Sequence, residues 1–263
     1  MIIDSHCHLI SSRYEESIHE IIKICTASNI GLLLNITTKE MEFDEILDLS
    51  KKYKQIYNSI GIHPHETENL NTNIFNKIED VIQKNKKTIA IGETGLDFYY
   101  NHSKKKDQIN SFKKHIEISL EHNLPLVIHS REAEKETKEI LYSYKNHSNL
   151  TGVIHCFTGS EKFAREMMEI GFYISFSGII TFKNSSYLRE IVSITDRDKI
   201  LIETDSPFLA PAPNRGKTNI PAFIVHTIKQ ISDILNIDEA EVEKITSNNF
   251  FNLFKRVKAV SIA

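Results

Sequence analysis

The first ten residues read Met1-Ile2-Ile3-Asp4-Ser5-His6-Cys7-His8-Leu9-Ile10. The apolar run Ile2–Asp4 is too short for a helix and breaks at once into side chains that carry imidazole and carboxylate groups. The same arrangement recurs along the chain. Short Ile-, Leu- and Val-rich runs occupy Gly31–Ile36, Ile56–Ile62, Thr88–Ile91, Leu124–Ile128, Gly152–Ile154, Phe172–Phe176 and Lys199–Ile202, as strands buried on both faces require. Between the runs lie stretches of helical periodicity: Tyr14–Ser28, Lys39–Tyr53, Asn73–Lys86, Asp107–His122, Glu132–Tyr144, Glu161–Ile170 and Asn184–Ile194. Ile109, Phe112, Ile116 and Leu120, spaced by three and four, form one apolar stripe. Eight strands alternating with helices predict an α/β fold, a single (β/α)8 TIM barrel over residues 1–263, although an open doubly wound sheet shares the alternation. Pro221–Phe254 reads as two more helices, the second capped by Asp238.

Composition narrows the function classes. With 40% hydrophobic and 25% charged residues the chain is not intrinsically disordered. Cys7, Cys25 and Cys156 share no C-x-x-C spacing, which excludes a disulfide framework or zinc ribbon and points to a reducing cytoplasm. No run reaches the ~18 apolar residues of a membrane span, and the start lacks the basic and apolar regions of a secretory signal. A net charge of −3 excludes a protein that holds nucleic acid by a broad basic surface. The lysine clusters at 51–54, 84–87 and 104–106 read as solvated surface.

In a barrel of this kind the active site forms where the strands end. His6 and His8 follow the first run, His63 and His65 the third, and Glu93 the fourth; His129 ends the fifth, His155 the sixth, and Asp205 follows the eighth. Taken singly, each has an ordinary structural reading. Together, His6, His8, Glu93, His129, His155 and Asp205 bring six imidazole or carboxylate groups to one mouth, a crowd that burial penalises and cations satisfy. Six ligands exceed the needs of one catalytic zinc. Two divalent cations (magnesium, manganese or zinc) bridged by Glu93 use the set fully, one taking His6, His8 and Asp205 and the other His129 and His155. Such a pair can activate a water and stabilise charge developing on a phosphodiester. Asp205 is the candidate base, His63 the candidate phosphate contact or leaving-group acid, and Arg131 and Arg215 candidate phosphate contacts. His19, His102, His115, His122 and His147 read as surface histidines. Cys156 adjoins the site without being a ligand.

The motifs resemble those of the TatD family of metal-dependent deoxyribonucleases, within the amidohydrolase superfamily. They are DSHCHL at 4–9, GIHPH at 61–65, IGETGLDFYY at 91–100, VIHSREA at 127–133, HCFTGS at 155–160, ETDSPFLAP at 203–211 and the shorter RGK at 215–217. The resemblance implies the same six metal ligands, places His63 near the scissile phosphate and makes His65 a weaker substrate contact. It implies a deoxyribonuclease, acting as a 3′-end exonuclease on single-stranded or frayed DNA; neither a membrane nor an obligate protein partner is expected. The alternative is an amide or ester hydrolase, such as a D-aminoacyl-tRNA deacylase.

Overall fold

The structure, a computed structural model, describes residues 1–68, 70–100 and 102–257. Its strands are β1 (Ile2–Cys7), β2 (Ile30–Ile36), β3 (Ile56–Ile60), β4 (Thr88–Asp97), β5 (Leu126–Arg131), β6 (Gly152–Ile154), β7 (Tyr173–Phe176) and β8 (Ile200–Ile202). All neighbours pair in parallel and in sequence order. Beyond β8 the sheet closes on β1: Asp205 N donates to His6 O at 3.0 Å and His8 N to Ser206 O at 2.8 Å. Around the strands pack α1 (Ile18–Ala27), α2 (Phe43–Lys52), α3 (Thr72–Lys84), α4 (Lys105–His122), α5 (Glu134–Ser143), α6 (Glu161–Glu169), α7 (Ser186–Ile194) and α8 (Ile224–Leu235), with α9 (Glu239–Leu253) following. The fold is a TIM barrel.

Several boundaries differ from the sequence reading for local reasons. β4 and β5 outrun their apolar stretches because the backbone ladder continues under polar side chains, through Gly95↔His129 to Asp97↔Arg131. α1 starts at Ile18, after Ser17, whose side chain accepts from Glu20 N at 3.3 Å. Asp238 precedes α9 with extended backbone, but its side chain makes no capping hydrogen bond. Lys87 is not a solvated cation: its Nζ donates to the carbonyls of Ser50, Tyr53 and Lys54 at 2.7, 2.9 and 3.1 Å, around the end of α2.

Two apolar layers position the site. One lies between strands and helices and includes Leu33, Ile46, Ile78, Phe112 and Ile116. The other fills the barrel with Ile3, Leu32, Leu34, Ile89, Val127, Val153 and Leu201, and is plugged by Phe250, Leu253 and Phe254 from α9 and the residue after it. The plug sits at the strand starts, since Asn249 Nδ2 donates to Ile200 O at 2.8 Å and Arg256 Nη1 to Thr88 O at 3.0 Å. Side chains alternate along a strand, so on β5, β6 and β8 the inner apolar residue aims its second successor at the mouth. Val127 leads to His129 and Arg131, Val153 to His155, and Leu201 to Glu203 and Asp205. β1 needs a correction to that rule. Ile3 faces the barrel and Cys7 the helices, because the register is irregular between Asp4 and Cys7, and this shift turns both His6 and His8 inward.

Candidate metal centre

Glu93 is the hub. It follows Gly92, whose φ of 143° is open to glycine, and where a Cβ would meet the Val127 carbonyl oxygen at 2.3 Å. The carboxylate divides its two oxygens. Oε2 lies 3.5 Å from His6 Nε2 and 3.8 Å from His8 Nε2. Asp205 Oδ1 is 3.6 and 3.4 Å from the same two nitrogens. Oε1 faces His155 Nε2 at 2.7 Å, His129 Nδ1 at 3.1 Å and His63 Nε2 at 3.3 Å. All six residues expected to be ligands, with His63, therefore meet around one carboxylate.

In three of the rings the second nitrogen fixes the tautomer. His8 Nδ1 faces the Ile36 carbonyl at 3.1 Å, His155 Nδ1 faces Glu203 Oε1 at 3.3 Å, and His129 Nε2 faces Asp97 Oδ2 at 3.0 Å. An oxygen acceptor there places the ring proton on that nitrogen and leaves the inward one with a lone pair, as a metal ligand requires. His63 is the reverse. Its Nδ1 accepts from His65 N at 3.1 Å, so in the neutral ring Nε2 carries the proton and donates to Glu93. Burial pushes His63 down to about 4, against the pull of Glu93, so the ring is neutral near pH 7. The geometry thus separates a proton donor from three rings whose inward nitrogens carry lone pairs.

The donor set fits divalent cations. At 3.1 Å, His6 Nε2 and His8 Nε2 bring two inward nitrogens together, and the lone pairs of His129 and His155 point at a carboxylate oxygen. Something positive must stand between such groups. Burial lowers the affinity of His155 for a proton, yet Glu93 and Glu203 raise its pKa well above the usual imidazole value, so this position favours positive charge. Burial likewise opposes ionisation of Glu93, and the imidazoles of His155 and His63 overcome it, holding the carboxyl well below its usual range. His6 Nδ1 and Glu203 Oε2 are both buried without a partner, beside the stack in which the rings of His6 and His155 lie 3.9 Å apart, and His6, His155 and Glu203 each offer a ligand atom within 4.8 Å of the others. Imidazole nitrogen and carboxylate oxygen in this mixture suit zinc, manganese and iron.

Around the hub, the structure adds residues to those read from the sequence. Asp97, nearly fully buried, accepts from His129 and from His65 Nε2 at 2.9 Å, and from the backbone of Tyr99 and Tyr100 at 3.0 Å each. Glu203 backs His155. His115 is buried, not a surface residue: Nε2 accepts from Ile62 N at 3.1 Å and Nδ1 donates to Ser111 O at 2.7 Å, which fixes the backbone next to His63. Arg131 stands at the mouth with its guanidinium 4.2 and 4.7 Å from the rings of Tyr99 and Tyr100. Arg13, which the sequence did not single out, lines the same cleft and is held by Glu42 and Thr38. Arg215 is not brought there. It is exposed and stacks on Phe182 at 3.6 Å, because a flat guanidinium packs well on a ring face. Cys156 lines the cleft, its Sγ 3.3 Å from Ser177 Oγ. The cleft has a volume of about 1070 Å³.

The sequence profile described as "TatD related DNase" matches residues 3–255. The chain belongs to the TatD family. A metal-dependent hydrolase of Buchnera aphidicola is 39% identical over 262 residues, covering 96% of this chain and 98% of that protein. The metal-dependent hydrolase YcfH of Escherichia coli is 36% identical over 258 residues, covering 96% and 95%. Among solved structures, the Escherichia coli TatD homologue YjjV superposes with a TM-score of 0.89 at 22% identity, covering 97% and 98%; that likeness bears on the fold. This TatD-family protein is a metal-dependent hydrolase.

Proposed function

We propose that this hydrolase cleaves phosphodiester bonds of DNA, removing nucleotides from the 3′ end of single or frayed strands with two divalent cations. The observation that carries the reading is the divided carboxylate of Glu93, one oxygen toward His6 and His8 and the other toward His129 and His155, beneath a cleft with Arg13 and Arg131 on its walls. The family's description as DNases favours phosphate as the substrate group.

Bound divalent cations supply Lewis-acid activation of a water and neutralise charge on the phosphate. The chain's own residues do the rest. Burial opposes ionisation of Asp205, but the bond with His8 and the nearby His6 keep its carboxyl below the usual range, so it accepts the proton of the attacking water. The water oxygen bonds to phosphorus as the bond to the 3′-oxygen breaks. His63, neutral with its proton on Nε2, hydrogen-bonds to that departing oxygen, and solvent supplies the proton the oxygen takes up. Arg131, steadied by Tyr99 and Tyr100, holds a non-bridging oxygen; His65 is tied to Asp97 and supports the same wall. All three cysteines are free thiols and no helix among the described residues is long and apolar enough to cross a membrane. Free thiols accord with a cytoplasmic enzyme.

The test is a gel of 5′-labelled single-stranded DNA incubated with protein and magnesium, manganese or zinc. A ladder shortening from the 3′ end is expected. No cleavage with any metal, together with deacylation of a D-aminoacyl-tRNA, would replace this reading with the ester-hydrolase one.

A further inference from the structure

Of all Phe and Tyr side chains among the described residues, four are exposed: Tyr99 at 51%, Tyr100 at 49%, Tyr187 at 48% and Phe208 at 50%. All four stand at the mouth of the barrel. Tyr100, Tyr187 and Phe208 line the cleft, and Tyr99 packs edge-on to Tyr100 with ring centres 4.8 Å apart. Elsewhere the fold buries its rings wholly or in part, so their gathering at one opening needs a physical reason.

The rings are also fixed with respect to the site. Asp97 Oδ1 accepts from the backbone of Tyr99 and Tyr100 while Oδ2 accepts from His129 and His65, so a single carboxylate orients the loop and a metal ligand together. Across the mouth, Phe208 N donates to Asp205 O at 2.9 Å and its ring stands edge-on to His8 at 6.1 Å. Each patch carries a guanidinium. Arg131 lies over Tyr99 and Tyr100, and Arg13 lies 5.9 Å from the Phe208 ring. The two patches flank Glu93, one beside His65 and His129, the other beside His8 and Asp205.

Resting on the DNA reading above, we propose that these patches are two base-stacking subsites, one on each side of the scissile phosphate. The enzyme takes an unpaired strand whose neighbouring bases splay apart, one onto Tyr99 and Tyr100 and the other onto Phe208. Every base offers a π-face, so such subsites tolerate sequence while rejecting paired bases, whose faces are covered. The two guanidiniums put a positive charge beside each patch on the wall of the cleft that takes the phosphate. The arrangement also explains how a chain of net charge −3 holds a polyanion without a basic track.

The experiment uses short single strands with one cleavable linkage, the other linkages blocked by phosphorothioates, and an abasic residue on one side or the other of that linkage. Wild type is compared with the Tyr99→Ala/Tyr100→Ala double variant and with Phe208→Ala; Phe208→Leu and Tyr100→Leu keep apolar bulk without a ring. Each abasic residue should lower wild-type kcat/KM about 10-fold. In Phe208→Ala and Phe208→Leu one abasic position should become silent and the other keep its cost; in the tyrosine variants the pattern should reverse. Abasic penalties that remain at wild-type size in every variant overturn the proposal while leaving DNA cleavage intact. Failure of the wild type to cleave any of the strands overturns the DNA reading and this proposal together.

Discussion

At the strand starts the barrel is closed by Phe250, Leu253 and Phe254, packed on Ile3, Leu32, Leu34, Val127, Val153 and Leu201. Two residues farther along the same strands the inward side chains become His129, His155 and Glu203. The lower layer is held by apolar burial, which is insensitive to direction. The upper layer is held by paired charges and hydrogen bonds, each costly to bury unless every atom has a partner. The contrast explains how so many ionisable groups can be kept in fixed places: the apolar floor sets the rotamers, and Asp97, Glu203 and the Ile36 carbonyl set the ring orientations. Stability and chemistry are thus divided between the two ends, and variants should separate them.

The largest effect is expected at the mouth. His63→Ala should retain metal and lose ~10²–10⁴ in kcat, measured as single-turnover cleavage alongside elemental analysis. Loss of metal in step with activity would make His63 a ligand and undo the tautomer argument. At the other end, Phe254→Ala should cost ~3–5 kcal/mol in urea unfolding while the folded fraction keeps its metal. Its counterpart Glu203→Gln should weaken metal retention ~10–100-fold with a far smaller change in unfolding. If the two variants show the same pattern, the division between floor and mouth is wrong.

A third contrast lies between two buried histidines. His115 is neutral in the fold because burial pushes it down to about 4, only partly offset by its bond to Ser111. A histidine with a lowered folded value contributes stability that is complete above its unfolded value of about 6.5 and is lost as pH falls toward 4. At ~1.4 kcal/mol per unit this amounts to roughly 3 kcal/mol. His115→Gln should flatten that part of the stability–pH curve relative to wild type, and an unchanged slope would contradict the assignment.

The smallest effect separates the two arginines named from the sequence. For DNA binding measured across a salt series, Arg131→Ala should reduce the slope by ~0.7, one single-strand phosphate. Arg215→Ala, stacked on Phe182 outside the cleft, should change it less. Equal reductions would bring Arg215 back to the substrate.

These contrasts also mark what could be read from the chain itself. The strand ends were legible because an apolar run followed by His, Glu or Asp has few meanings in an alternating β/α pattern, and His6, His8, Glu93, His129, His155 and Asp205 all meet where that pattern placed them. Glu203 was within reach by the same two-residue step that links Leu201 to Asp205. Asp97, Arg13 and His115 were not, because they act through partners 32, 29 or 53 residues away, and no periodicity within one element records such a partner. The turn of β1 that aims both histidines inward depends on a register irregularity against β2, a tertiary feature absent from the sequence pattern.

The central claim is that Glu93 serves two cations at once. Protein freed of metal, reloaded with manganese and desalted should hold about two ions per chain by elemental analysis, and Glu93→Gln should hold far fewer. A wild-type value of one ion per chain at full activity would contradict the bridged centre.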